Sequence, residues 1–152
     1  MTTLKQRIKD EMKAALLSGD RFVGDTLRNL GAAILDEEVK QGVREAGLDD
    51  AAVEQVIVRE VKKRRDAAAI YRTNGRPELA EPEEREMAVL QHYLPQPLSD
   101  EELQAVVTQT IAELGADNPR MTGQVIGVVK AKVGNRADGG AIAQLVQRAL
   151  AP

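Results

Sequence analysis

Near its C-terminal end the chain reads VGNRADGG over residues 133–140, with Arg120, Lys130 and Lys132 shortly before it. Cations beside glycines are suited to gripping phosphate. The side chains supply the charge, and a residue without a Cβ lets another backbone come close. From Asn118 to Pro152 five cations (Arg120, Lys130, Lys132, Arg136 and Arg148) stand against one acid, Asp138. That is a local balance of +4 inside a chain of net −3. A G-x-x-x-x-G-K-[ST] loop is absent, and no strand precedes the glycines, so neither a P-loop nor a dinucleotide fingerprint is present. The chemistry on offer is electrostatic, with Arg120, Lys130, Lys132 and Arg136 as phosphate-facing cations next to a helix N-terminus. The first role of the stretch is plainer. Gly134 or Asn135 takes a left-handed conformation where one helix ends, and Asp138 caps the next.

Catalytic chemistry finds few candidates. His92 is the only histidine, there is no cysteine, and the only serines, Ser18 and Ser99, both fall at helix ends. A lone His between Gln91 and Tyr93 reads as a surface or cap residue rather than a general base. The carboxylates of LDEEV and SDEEL form a helix surface and a charged first turn, without recognisable metal-ligand spacing. No cofactor, no metal site and no catalytic residue is expected, and the reading leans away from an enzyme.

The elements that would position these residues are helical throughout. Leu4, Ile8, Met12 and Leu16 recur at three- and four-residue spacing. Gly19 stops that helix and Asp20 caps a second, with Val23, Leu27, Leu30 and Ile34 inward and Gly24 and Gly31 beside them for close helix approach. Residues 40–50 form a loop. A third helix begins at Asp49 or Asp50, carries Val53, Ile57, Val61, Ala68 and Tyr71 on one side, and ends at Asn74-Gly75. A fourth carries Met87, Leu90 and Leu94 inward, with Pro82 breaking or kinking its first turns. Of the bases in REVKKRRD (59–66), Lys62, Lys63 and Arg65 point to solvent. Arg64 falls on the apolar side and calls for a structural ion pair with the acids of residues 81–86.

LPQPLS (94–99) marks a boundary, because two prolines stiffen it. The expected architecture is all-α: an N-terminal helical unit over 1–94, a Pro-containing linker over 95–98, and a C-terminal three-helix unit over 99–152. Ser99 and Glu102 form a capping box for the fifth helix, which ends at Gly115. Asn118-Pro119 opens the sixth, and Ile142, Leu145, Val146, Ala149 and Leu150 mark the seventh. Aromatics make up 2% of the 152 residues, so the core must be aliphatic. The first residues carry charges without an apolar run, and no stretch approaches the roughly 20 apolar residues of a membrane span. A cytoplasmic protein is expected, with no membrane partner.

TLRNLGAAI, EVKKRRDAAAIY, NGRPELAEPEEREMAVLQHYLPQPLSDEE and GQVIGVVKAKVGNRADG together resemble the GatB/YqeY family from end to end. The resemblance implies a stand-alone, two-part helical bundle. Its C-terminal part is similar to the tail domain of the GatB subunit of glutamine-dependent tRNA amidotransferase, where the tail helps hold the tRNA. Gly123, Gln124 and Val125 match the GQV of that tail, and Lys130, Lys132 and Arg136 lie near its basic turn. Gly127 stands in place of a lysine, and Asn135 in place of a glycine shifted here to Gly134. Gly123, Gly127 and Ala131 make a smooth stripe that suggests close helix packing. The resemblance implies tRNA or another structured RNA as partner. The alternatives are a protein-interaction adaptor, or an accessory to a carbon–nitrogen ligase that takes its nitrogen from glutamine. The N-terminal unit, net −2, would face away from RNA or engage a protein partner.

Overall fold

The computed structural model describes residues 2–152. Among them are seven α-helices, two single-turn 3-10 helices and no strand, so the all-α class holds. The chain forms two compact units, one up to Leu94 and one over Pro95–Pro152.

The first unit contains α1 (Leu4–Ser18), α2 (Arg21–Gln41), α3 (Asp50–Thr73) and α4 (Pro77–Gln91). The starts of the first three are fixed by side-chain caps: Thr3, Asp20 and Asp49 accept the N–H groups of Gln6, Val23 and Ala52. α1 packs on α2, α3 packs on α4, and α2 touches both members of the second pair. Their inward stripes meet in an aliphatic core that includes Ile8, Leu27, Leu30, Ile34, Val53, Ile57, Val61 and Leu90. Burial of each such Leu or Ile contributes about 1.5–3 kcal/mol. One charge is drawn into this unit. Glu38, 1% exposed, accepts Lys5 Nζ at 2.7 and 3.0 Å and the Leu48 N–H at 2.9 Å, tying α1 and the loop after α2 to α2 itself.

Two expectations here need correction. Pro82 neither breaks nor ends α4, which runs through it. The one N–H that proline lacks would have served the carbonyl of Glu78 on an exposed turn, where water can take its place. Of the two glycines beside the α2 stripe, only Gly24 permits a close approach: a Cβ there would fall 2.4 Å from Leu16 Cδ2. Gly31 is exposed and has nothing within 4 Å of that position.

The second unit contains α5 (Asp100–Leu114), α6 (Thr122–Val133) and α7 (Gly139–Leu150). Ser99 accepts the Glu102 N–H at 3.1 Å while the Glu102 carboxylate accepts the Ser99 N–H, which completes the capping box. Leu103 and Val107, then Val125, Val129 and Val133, then Ile142, Val146 and Leu150 bring one aliphatic stripe from each helix into a single core. Residues 95–98 belong to this unit. Leu98 packs against its core, and the Leu98 N–H donates to the Arg136 carbonyl at 2.8 Å.

Pro119 opens a 3-10 turn over Pro119–Met121 rather than α6 itself, with Asn118 capping it. The Thr122 hydroxyl holds the Pro119 carbonyl at 2.7 Å, and α6 starts one turn late. The Gly123–Gly127–Ala131 stripe does not pack: all three are exposed, with nothing within 4 Å of a Cβ on either glycine. The core row of α6 is 125, 129 and 133, and a row offset by two residues lies on the opposite side of the helix. Gly134 does have positive φ, but its φ 57°, ψ −132° is not the left-handed helical geometry. That conformation needs glycine, and it leads into a second 3-10 turn over Gly134–Arg136.

Candidate nucleic-acid interface

The joint between α6 and α7 is built as a stop, one tight turn and a capped start. Asp138 Oδ2 accepts the Ala141 N–H at 3.2 Å, so the only acid of the region is committed to the first turn of α7. The structure divides the four cations. Arg120 and Lys130 are exposed and have no carboxylate partner among the described residues, and the same is true of Arg148 on α7. The Lys130 ammonium lies at the start of α7, about where a Cβ on Gly139 would be 3.5 Å from its Nζ.

Lys132 and Arg136 are turned to internal use. Lys132 Nζ donates to Glu113 Oε2 at 2.7 Å and to the buried Thr110 hydroxyl at 3.0 Å, bridging α6 to α5. The Lys132 ammonium holds the Glu113 carboxyl below its usual range. Arg136 Nε donates to the Gln96 carbonyl at 3.0 Å and closes residues 95–98 onto the turn. Its terminal guanidinium nitrogens have no carboxylate partner among the described residues and can meet an outside anion. The unit contains no aromatic residue, since Phe22, Tyr71 and Tyr93 all precede Pro95. What this surface can do is attract phosphate, not stack bases.

Arg64 is 12% exposed on its side chain. Its Nε donates to Glu86 Oε2 at 3.0 Å and its Nη1 to the Glu60 carbonyl at 2.9 Å, between α3 and α4. Lys62, Lys63 and Arg65 are exposed.

The first unit also holds a polar cluster that no sequence spacing announces. Arg7 Nε donates to Glu11 Oε2 at 2.8 Å, and the Tyr93 hydroxyl donates to Glu11 Oε1 at 3.1 Å. Arg7 lies 4.9 Å over the Tyr93 ring and 3.3 Å from His92 Nε2. Burial, then the charge of Glu11, pushes the Tyr93 hydroxyl up to about 12. A cleft of about 370 Å³ lies alongside, lined by Ala14, Val23, Leu27 and Val89 together with Glu11, His92 and Tyr93. Both Glu11 oxygens already hold donors. The cluster therefore works as a clasp between α1 and the end of α4, its members more than 80 residues apart in sequence. Among the described residues no group of three or more His, Asp or Glu is placed to hold a metal ion, and no helix is long and apolar enough to cross a membrane.

Fold and site together define a two-unit, all-helical protein whose C-terminal three-helix unit carries cations without carboxylate partners among the described residues: Arg120 before α6, Lys130 beside the α6–α7 joint and Arg148 in the last turn of α7. The chain belongs to the Yqey-like protein family, whose model matches residues 5–150. It is similar to proteins called altered inheritance of mitochondria protein 41, mitochondrial. The one from Lachancea thermotolerans is 28% identical over 116 residues, which cover 75% of this chain and 61% of that protein. The one from Kluyveromyces lactis is 29% identical over 115 residues, 74% of this chain and 60% of that protein. The one from Eremothecium gossypii is 32% identical over 87 residues, 57% of this chain and 46% of that protein. The chain thus spans about three-fifths of the length of the first two relatives.

Proposed function

We propose that the C-terminal unit binds structured RNA, tRNA foremost, through phosphate contacts and shape. One observation carries the reading. Arg120, Lys130 and Arg148 are exposed without carboxylate partners among the described residues, in a segment whose single acid is spent on a helix cap. Such a local excess of cations attracts a polyanion even on a molecule of net negative charge. The absence of aromatics from the unit favours a folded RNA, read by backbone and shape, over single strands read by stacking. The resemblance to the amidotransferase tail points the same way. Arg136 joins the contact with its terminal nitrogens. Lys132, its charge balanced by Glu113, holds α6 to α5 behind the contact. The exposed Gly123–Gly127 strip lets a phosphate backbone approach α6 closely. The reading gives this chain no catalytic step. It serves RNA handling in an amidotransferase-related or similar cytoplasmic setting.

The test is binding to bulk tRNA and to a single-stranded control across a salt series, with an Arg120→Gln/Lys130→Gln/Arg148→Gln variant alongside. The wild type should prefer tRNA, and its affinity should fall as salt rises. The variant should lose a slope of roughly 0.7–0.9 per phosphate contact removed while staying helical. If the wild type shows no binding at about 10⁻⁴ M, the weak end of non-specific affinity, or if the variant keeps the full slope, the proposal is wrong.

A further inference from the structure

We infer that the outer seam between α1 and α2 is a docking surface for an acidic amphipathic helix of a partner protein. Two contacts fix the line along which the helices meet: Leu16 against Gly24 at one end and Lys5 on Glu38 at the other. Gly24, Gly31 and Glu38 are seven residues apart in turn and so lie on one face of α2. Midway along, at Gly31, that line is open, with nothing within 4 Å of a Cβ position.

On the outer side of this line α2 shows Ala32, Leu35 and Val39, with Leu35 42% and Val39 58% exposed. Exposed single leucines are ordinary. A stripe of apolar residues at 32, 35 and 39, continuous with an open seam, is the pattern of a helix face awaiting a partner. On the outer side of α1 the corresponding positions are Lys9 and Lys13. They follow Lys5 at successive four-residue steps, both are exposed, and neither has a carboxylate partner among the described residues.

The surface is thus apolar along its length and basic along one border, within a unit of net −2. From Ala32 to Val39 it runs about 10 Å at 1.5 Å per residue, or two helical turns. Its complement is a helix of similar length, with an apolar stripe to fill the seam at Gly31 and acids to meet Lys9 and Lys13. The far border carries Asp36, exposed one turn from both Ala32 and Val39, while Arg28 sits in line with the apolar stripe and is paired with Asp25 on its own helix. Charge selection therefore falls on the α1 side.

The experiment uses the full chain and two synthetic helices of about 18 residues. Both carry leucines at i, i+3, i+4 and i+7. One has glutamates beside them, the other lysines. The glutamate peptide should bind about tenfold more tightly than its twin. It should shift the methyl resonances of Leu35 and Val39, and bulk tRNA should not displace it. Leu35→Ser/Val39→Ser should weaken binding at least about tenfold with unchanged helicity, and Lys9→Glu/Lys13→Glu should reverse the order of the two peptides. Equal binding of the peptides, or shifts confined to other methyls, would overturn the inference. So would Leu35-dependent self-association in sedimentation, or Leu35-dependent binding of phosphatidylserine vesicles with no peptide binding. Those two results would give the surface to a second copy or to a membrane.

Discussion

Replacing Lys5 by Met should both weaken the first unit and reverse part of its pH response. Glu38 is 1% exposed and holds three hydrogen bonds, two from Lys5 Nζ and one from the Leu48 N–H. The lysine side chain is 43% exposed, so the pair is buried at one end only. Removing one member of a fully buried pair costs about 3–5 kcal/mol. Because water screens the lysine end, about 2–3 kcal/mol is expected here. In the wild type the Lys5 hydrogen bond leads the causes that hold the Glu38 carboxyl below its usual range. A lowered carboxylate stabilises the fold above the unfolded value, and that stability is lost as pH falls through the folded one. In Lys5→Met burial becomes the leading influence and raises the group. The sign then inverts, and this site favours the folded state more as pH falls from neutrality toward 5. Lys5→Met/Glu38→Gln should recover most of the loss, since glutamine is neutral and its oxygen still accepts from Leu48. Both tyrosines lie in the first unit, so tyrosine fluorescence during urea unfolding reports that unit alone. A loss below about 0.5 kcal/mol, or an equal loss at every pH, would refute the argument from burial.

Four further outcomes follow from the geometry. Gly24→Ala should destabilise the first unit by about 1–2 kcal/mol despite better helix propensity, because Leu16 must move, whereas Gly31→Ala should stabilise it by about 0.5–1 kcal/mol; paired urea curves check both. Pro82→Ala should restore an N–H facing the Glu78 carbonyl and stabilise α4 by about 1–3 kcal/mol, read as a higher urea midpoint. In a Tyr71→Phe variant, the remaining tyrosine should ionise near 12 in ultraviolet titration. Its raised value stabilises the fold below about pH 10, and that stability is lost as pH rises from there through 12; ionisation near 10 would contradict the buried clasp with Glu11. Lys132→Gln should lower the thermal midpoint of the second unit while Lys130→Gln leaves it unchanged, a difference visible by circular dichroism.

Much of the fold is legible in the sequence because the helices are specified locally. Asp20, Asp49, Ser99 and Asp138 each precede an apolar period and each caps the helix that follows. Such signals act within one turn and need no knowledge of the tertiary structure. The misreadings arose where a local rule depends on what lies opposite. Pro82 is tolerated because its turn faces water. Gly31 and Gly123 share the spacing of packing glycines but meet nothing: Gly31 lies on the line facing α1 where no side chain reaches it, and Gly123 lies on the side of α6 away from the core. Spacing establishes that small residues share a face. Which face is covered depends on the partner helix.

The candidate site was legible as a charge excess and not as an arrangement. Four cations within 17 residues look equivalent in the sequence. In the structure Lys132 spans to Glu113 and Thr110, nineteen and twenty-two residues away, and Arg136 reaches Gln96, forty away. These two hold the three-helix unit together before they can meet any ligand. Among the described residues Arg120, Lys130 and Arg148 have no carboxylate to hold, so loss of an anion contact should show at those positions without loss of stability. Arg7, Glu11, His92 and Tyr93 present the converse case, since nothing in their types or local spacing marks them as a group. Only the fold, which brings the residues just after α4 back to α1, puts them together, and a carboxylate already holding two donors then makes them a fastening rather than a reaction centre. In both places the decisive observation is whether a charged group already has a partner within its own unit.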